Sequence, residues 1–276
     1  MLNDNTSAGG SSSSYHLIEN GQLQGAAGGL FVRQAHQLFR DRILAPGFSC
    51  VAAKAAFNTD NYAFANYGEL GSPEATAALA RDLARFCHDQ DRMDSDFTTM
   101  IAVFRGPRVM DEPAFEERLW EQLRALHRAD ASPYSPEVSA DPRDPTFGFS
   151  FAGRAFFIIG GHPGSSRIAR AFPFPTLVFN AHRQFQALKS DGRWPRFQET
   201  IRGREMKLQG SLNPNLADHG QASEARQYSG RAVETDWHAP FPVLPDRLRV
   251  PEAETDAARC PFLSAARRFQ QESAHD

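Results

Sequence analysis

The chain has 276 residues, with 30 Lys+Arg against 33 Asp+Glu and a formal net charge of −3. That balance argues against a nucleic-acid scaffold, which carries a strongly basic face, and no apolar run approaches the ~20 residues of a membrane helix. Residues 1–14 lack the basic and apolar stretches of a secretory signal. Three widely spaced cysteines, Cys50, Cys87 and Cys260, exclude a disulfide framework and a CxxC zinc site, so the expectation is a reduced, cytoplasmic enzyme. Phe is abundant, 22 against 5 Tyr, which suits core packing first and a large apolar ligand second.

Residues 1–14 read as a disordered tail, because Asn, Ser and Gly bury too little surface to offset ordering entropy. Leu30–Leu44 has helical periodicity, with Phe31, Ala35, Leu38 and Phe39 on one face, and Pro46-Gly47 ends it. The apolar run Phe48–Phe57 reads as a strand. Ser72-Pro73-Glu74 starts a helix with a capping hydroxyl, a first-turn proline and an acid at the positive dipole end; its apolar face is Leu79, Leu83 and Phe86. Phe97–Phe104 reads as a second strand. Asp111-Glu112-Pro113 opens a helix with Phe115, Leu119, Leu123 and Leu126 in register. Residues 129–145 form a Pro/Asp/Ser-rich loop. Phe147–Phe151 and Arg154–Ile159, hinged on Ala152-Gly153, read as a hairpin, and Thr176–Phe179 as a further strand. Helical stretches follow at Arg183–Leu188 and Phe197–Leu208, and beyond Asn213-Pro214 the chain is loop-rich, with 240–251 irregular. Strands and helices interleave without a βαβ repeat. The reading is α+β: one domain, a mixed or antiparallel sheet, helices packed on it, and a strand order left open.

The densest polar stretch runs from Gly160 to Gly230. Gly160-Gly161-His162-Pro163-Gly164-Ser165-Ser166-Arg167 directly follows an apolar strand. The glycines allow close approach to the backbone and Pro163 stiffens the bend, so His162 can ligate a metal, act as a base or be a satisfied structural histidine. The same loop also reads as an anion nest with Arg167 and Arg170, or as arginines that hold carboxylates such as haem propionates. His182 falls in a first helical turn, where it either shares a pocket with His162 or sits at the surface. Glu224 is a carboxylate for a cationic substrate or a helix-start acid. His16, His88, His127 and His275 read as solvated; His36, His219 and His238 are undecided. GxSxG, HExxH, His-x-Asp/Glu, CxxCH and GxGxxG are absent, which argues against a hydrolase elbow, a zincin, a facial-triad iron, covalent haem and a dinucleotide site.

The ordered motifs His162-Pro163-x-Ser165-Ser166-Arg167-x-x-Arg170, Leu177-Val178-Phe179-Asn180-x-His182-x-Gln184-Phe185, Ile201-Arg202-x-Arg204, Leu208-Gln209-Gly210, Asn213-Pro214 and Ser223-Glu224-Ala225-x-Gln227-Tyr228-Ser229-Gly230 resemble the YqcI/YcgG family, over a stretch from Phe48–Lys54 to Phe241. The resemblance implies a haem-dependent N-hydroxylase of a guanidine-type nitrogen, in L-arginine or a related compound such as 2-aminoimidazole, in natural-product biosynthesis. It implies an enzyme domain over 15–262 with a tail over 263–276, and a pocket for one haem b between sheet and helices, with O₂ or peroxide as co-substrate. His162 is the expected metal ligand, with His182 as fallback or distal-pocket residue. Arg167 and Arg170 are expected on the propionates, with Ser166 beside them. Glu224 is expected to meet the substrate cation, supported by Asn180 and Tyr228. One departure stands out: a Trp-x-Cys-Pro-Phe ending appears as Trp237-His238-Ala239-Pro240-Phe241, without cysteine, and a Cys-Pro-Phe occurs later at Cys260–Phe262, which keeps a histidine ligand preferred. Expected partners are a small cationic guanidine-type substrate and, with O₂, an electron donor; neither nucleic acid nor membrane is expected, and a homodimer is left open. Three rival readings are a haem sensor or storage protein without turnover, a non-haem metalloenzyme using His162 and His182 together, and an anion-binding module.

Overall fold

The computed structural model describes residues 15–25, 29–93, 95, 97–216 and 222–248. The tails expected over 1–14 and 263–276, and with them Cys260, His219 and His275, lie outside the described residues. Local signals set several helix starts. Pro73–Asp89 (α3) is capped by Ser72, whose Oγ accepts from the Ala75 N–H at 3.1 Å, and Glu112–Ala129 (α4) by Asp111, whose Oδ1 accepts from the Ala114 N–H at 2.9 Å. Leu30–Leu44 (α1) matches its expected span. Its buried face is Val32, Ala35, His36, Phe39 and Ile43, while Leu38 is turned to solvent.

The run Phe48–Phe57 is not a strand. Val51–Asn58 (α2) is a helix, capped by Cys50, whose Sγ accepts from the Ala53 N–H at 3.4 Å. Four alanines in eight residues make helix the better local state, and this overrides the apolar-run signal.

Seven strands form one sheet. His16–Glu19 (β1) and Gln22–Leu23 (β2) make a hairpin at one edge. Tyr62–Glu69 (β3), Thr99–Gly106 (β4), Phe149–Phe151 (β5), Arg154–Gly161 (β6) and Thr176–Ala181 (β7) complete it in the order β2-β1-β3-β4-β7-β6-β5. β3 and β4 run parallel; the other neighbours are antiparallel. The fold is therefore α+β with a mixed sheet.

Alternation along the strands divides the molecule into two layers. On one face, Ala63, Ala65, Met100, Ala102, Phe156, Ile158, Leu177 and Phe179 meet α3 and α4 through Leu79, Leu83, Phe86, Phe115 and Leu119. Alanines on β3 and β4 let these two helices sit close. On the other face, Tyr62, Phe64, Ile101 and Val103 meet Val32, Ala35, Phe39 and Ile43 of α1 and Phe57 of α2. His127, expected in solvent, is buried between Phe241 and the Arg247–Asp130 ion pair, and His16 is buried against the Gln24 carbonyl. His36 is buried on the Tyr62 hydroxyl. Among the described residues no helix is long and apolar enough to cross a membrane.

Candidate functional site

Beyond the α1/α2 contact, the second face of the sheet continues across β7 and β6. The residues that alternate onto it there, Val178, Asn180, Phe157 and Ile159, join Thr99 and Ile101 of β4 in flooring a cavity of about 430 Å³. Phe39 of α1 and Phe57 of α2 wall one side. Arg183–Ser190 (α5) and Trp194–Gln209 (α6) roof it. Trp194, Phe197, Ile201 and Glu205 recur at helical spacing along α6 and all line the cavity, yet no residue of this helix is buried. The three apolar members of this stripe, Trp194, Phe197 and Ile201, turn to a cavity rather than to a packed core, which makes the cavity the candidate binding site. The roof is held at its ends: Gln209 accepts from the Ile168 N–H at 2.7 Å, Glu205 pairs with Arg167, and Phe197 stacks on Phe97 with centroids 6.3 Å apart.

His182 follows β7 directly and continues its alternation, so it shares the cavity face with Val178 and Asn180. Its Nε2 lies 3.2 Å from Oε2 of Glu224. A carboxylate only accepts, so the hydrogen of this bond is on Nε2, and in the neutral ring the lone pair is on Nδ1. Nδ1 is buried without a hydrogen-bond partner, and the Glu137 carboxylate stands 3.8 Å away. The other oxygen of Glu224 accepts from the Tyr228 hydroxyl at 2.9 Å, and that hydroxyl accepts from the Phe149 N–H at 3.2 Å. Burial, then the charge of Glu224, pushes the Tyr228 hydroxyl well above its ordinary pKa, so it stays a donor. Glu224 opens a one-turn helix, Glu224–Gln227, capped by Ser223. Gly148 passes close beneath it: a Cβ there would lie 2.8 Å from Val138 and 3.2 Å from Oε1 of Glu224. Lys189 lines the same cavity; burial lowers its pKa while Glu224 works against that.

The expected site residues divide. Glu224, Tyr228 and His182 form one chain of hydrogen bonds, and Asn180 lies on the same cavity floor, its Nδ2 donating to the Phe157 carbonyl at 3.2 Å. His162 is elsewhere. Past the end of β6 it keeps the parity of Phe156, Ile158 and Gly160, which places it on the α3/α4 side, stacked on Phe115 at 4.3 Å. It is fully buried, neither ring nitrogen makes a hydrogen bond, and burial holds its pKa below the ordinary value. A shared metal site of His162 and His182 is thereby corrected: they face opposite sides of the sheet, and among the described residues no cluster of His, Cys, Asp and Glu could hold a metal ion.

The Gly/Ser/Arg bend serves its own chain. Gly160 donates to the Tyr228 carbonyl at 2.7 Å, and a Cβ on it would come within 2.8 Å of that oxygen; a Cβ on Gly164 would lie 2.4 Å from the Met110 carbonyl. What approaches the glycines is protein, not ligand. Ser166 donates from N and Oγ to Glu112 at the surface. Arg167 donates to the Ser211 and Leu212 carbonyls and pairs with Glu205. Arg170 donates to the carbonyls of Gly160, Gln227 and Tyr228, and burial brings its pKa down to about 10, still a cation at neutral pH. Arg167 and Arg170 line the cavity with most of their donors engaged by their own chain, and the Ser165–Arg167 backbone amides are spent on His162, Glu112 and Ser165, which corrects the anion-nest expectation. Residues not anticipated are Glu137, in a loop without any sequence signal, and the α6 stripe, whose spacing was visible but reads equally as core.

A model of the YqcI/YcgG family matches residues 39–242. The chain is 22% identical over 228 residues to "Uncharacterized protein YqcI" of Bacillus subtilis (81% of this chain, 83% of that one). It is 25% identical over 210 residues to a Streptomyces lavendulae protein named "Putative N(omega)-hydroxy-L-arginine synthase DcsA" (71% of this chain, 77% of that one). No solved structure matches significantly. The family match spans β3 to β7, the cavity lining and the His182–Glu224–Tyr228 chain, and this protein belongs to the YqcI/YcgG family.

Proposed function

We propose that the chain is a haem-dependent N-oxygenase that hydroxylates a guanidine-type nitrogen, in L-arginine or a related small compound such as 2-aminoimidazole. The name carried by the Streptomyces relative supports an oxidoreductase that acts on the arginine guanidine. The observation that carries the cofactor is His182. One ring nitrogen is fixed by a carboxylate and the other is buried without a hydrogen bond, the way a metal-ligating imidazole is held. The donor set fits an iron porphyrin: one imidazole, apolar walls from Phe39, Phe57, Phe157 and Ile201, and the cations Arg167, Arg170, Lys189 and Arg202 in the same lining to face propionates. His182 is therefore assigned as ligand in place of His162.

A bound haem supplies the oxidising chemistry; the chain's residues bind and orient. Glu224 fixes the tautomer and plane of His182 and strengthens it as a base, and Tyr228 keeps Glu224 in place. This moves Glu224 from the substrate, where the sequence put it, to the ring behind the cofactor. Glu137, whose side chain is half-exposed at the cavity, is a second carboxylate beside the His182 ring, 3.8 Å from Nδ1. Asn180 contributes a neutral amide to the floor. The test is the optical spectrum of protein made with ample iron and porphyrin precursor. A Soret band is expected in the parent and in His162→Ala, lost in His182→Ala, and shifted by L-arginine or 2-aminoimidazole. A pale parent protein, or His182→Ala with full haem, overturns the assignment.

A further inference from the structure

One exposed face outside the cavity has an unusual composition. Arg105, at the end of β4, lies over the Phe31 ring of α1 at 4.2 Å, and Arg108 lies over the Phe174 ring at 4.8 Å. The two rings meet edge to face at 4.9 Å. Both guanidinium groups are exposed, and among the described residues neither pairs with a carboxylate. Beside them Val109 is 95% exposed and Leu30 65% exposed. Two arginines stacked in place around exposed apolar groups have already lost much of their rotamer freedom, so docking an acidic surface costs less ordering entropy.

The face is also close to the cavity. Two residues before Phe174, Phe172 stacks on Phe39 at 4.2 Å, and both of those rings line the cavity wall. The patch and the cavity wall share two segments: Phe31 and Phe39 both stand on α1, and Phe172 and Phe174 are two residues apart. We propose that an acidic electron-carrier protein docks on the Arg105–Arg108–Val109 face. This rests on the N-oxygenase reading with O₂ as oxidant: placing one oxygen atom into an N–H bond sends the other to water and consumes two electrons and two protons. Two one-electron carriers are oxidised in turn as they deliver those electrons, and the protons come from solvent.

The test is binding of an acidic [2Fe–2S] ferredoxin to the immobilised full chain, with basic cytochrome c as the control. Saturable ferredoxin binding is expected, weakened about tenfold by R105E/R108E and by raising salt from about 0.05 to about 0.5 M. Val109→Asp, at a site too exposed to disturb folding, is expected to weaken it similarly. No saturable binding, equal binding of cytochrome c, or a Kd unchanged by charge reversal overturns the proposal. So does a change of oligomeric state in R105E/R108E, which assigns the face to a second copy of the chain. The Soret band of the same preparations is read separately. Haem-loaded protein that ignores ferredoxin fails this inference alone, and ferredoxin binding by pale protein fails the haem reading alone.

Discussion

The two faces of the sheet solve opposite problems. Against α3 and α4, Leu79, Leu83, Phe86, Phe115 and Leu119 are all fully removed from water. Across β6 and β7 on the other face, a helix of 16 residues contributes none that is buried, and its apolar stripe lines a cavity. A buried histidine belongs to each face. His162 is sealed against Phe115; His182 is gripped by a carboxylate at one ring nitrogen, and its other nitrogen is buried without a hydrogen bond. Strand parity decides which of them serves the site, and local motif does not. The glycines and proline around His162 look functional in isolation, yet they are there to let two pieces of backbone touch.

The largest effect expected from this contrast is on the closed face. Leu119→Ala should cost about 2–5 kcal/mol, the range for truncating a fully buried leucine, measured by urea denaturation. A loss under about 1 kcal/mol would mean that the face is not close-packed. At the site, Glu224→Gln should cost about 1–3 kcal/mol, because the Tyr228 hydroxyl and His182 Nε2 are buried partners that then share a weaker acceptor. A double-mutant cycle with Tyr228→Phe should return a coupling of about 1 kcal/mol. Coupling near zero would separate Tyr228 from the site.

The closed face was legible in the sequence for a physical reason. Ser72-Pro73-Glu74 and Asp111-Glu112-Pro113 are self-contained start signals, and the stripes after them bury wholly on one side. β3 escaped because Tyr62-Ala63-Phe64-Ala65 is buried on both faces and shows no alternation. α2 escaped because an apolar run of ten residues fits strand and helix equally, and its cap is a cysteine. Glu224, Tyr228, Asn180 and His182 were legible as a polar cluster, but their partnership spans 42 residues between His182 and Glu224 and depends on a sheet order that no local pattern encodes. Glu137 had no signal at all.

Acid should separate the two faces next. Burial holds His162, His36 and His127 below their ordinary pKa, the last two at about 4. Each is neutral when folded and protonates more readily when unfolded, so below pH ~6.5 the unfolded chain takes up more protons and stability falls toward pH 4. His162→Leu replaces a buried imidazole stacked on Phe115 with an apolar side chain. It should be neutral or stabilising by roughly 1 kcal/mol at pH 7, and it should flatten the acid slope. Urea titrations across this window check both, and a slope parallel to the parent would mean that His162 protonates as readily folded as unfolded.

The smallest effect should come from the roof. Ile201 lines the cavity and is only half-buried, so Ile201→Ala removes little area from contact and no close-packed partner must relax. Its cost should be under about 1 kcal/mol, below the ordinary large-to-small range. On the haem reading proposed above, the same change should nevertheless weaken cofactor retention, seen as faster transfer of haem to an apo-globin acceptor. A penalty equal to that of Leu119→Ala would make α6 part of the core. The two faces would then differ in shape but not in job, and the cavity would lose its claim to be a site built for a ligand.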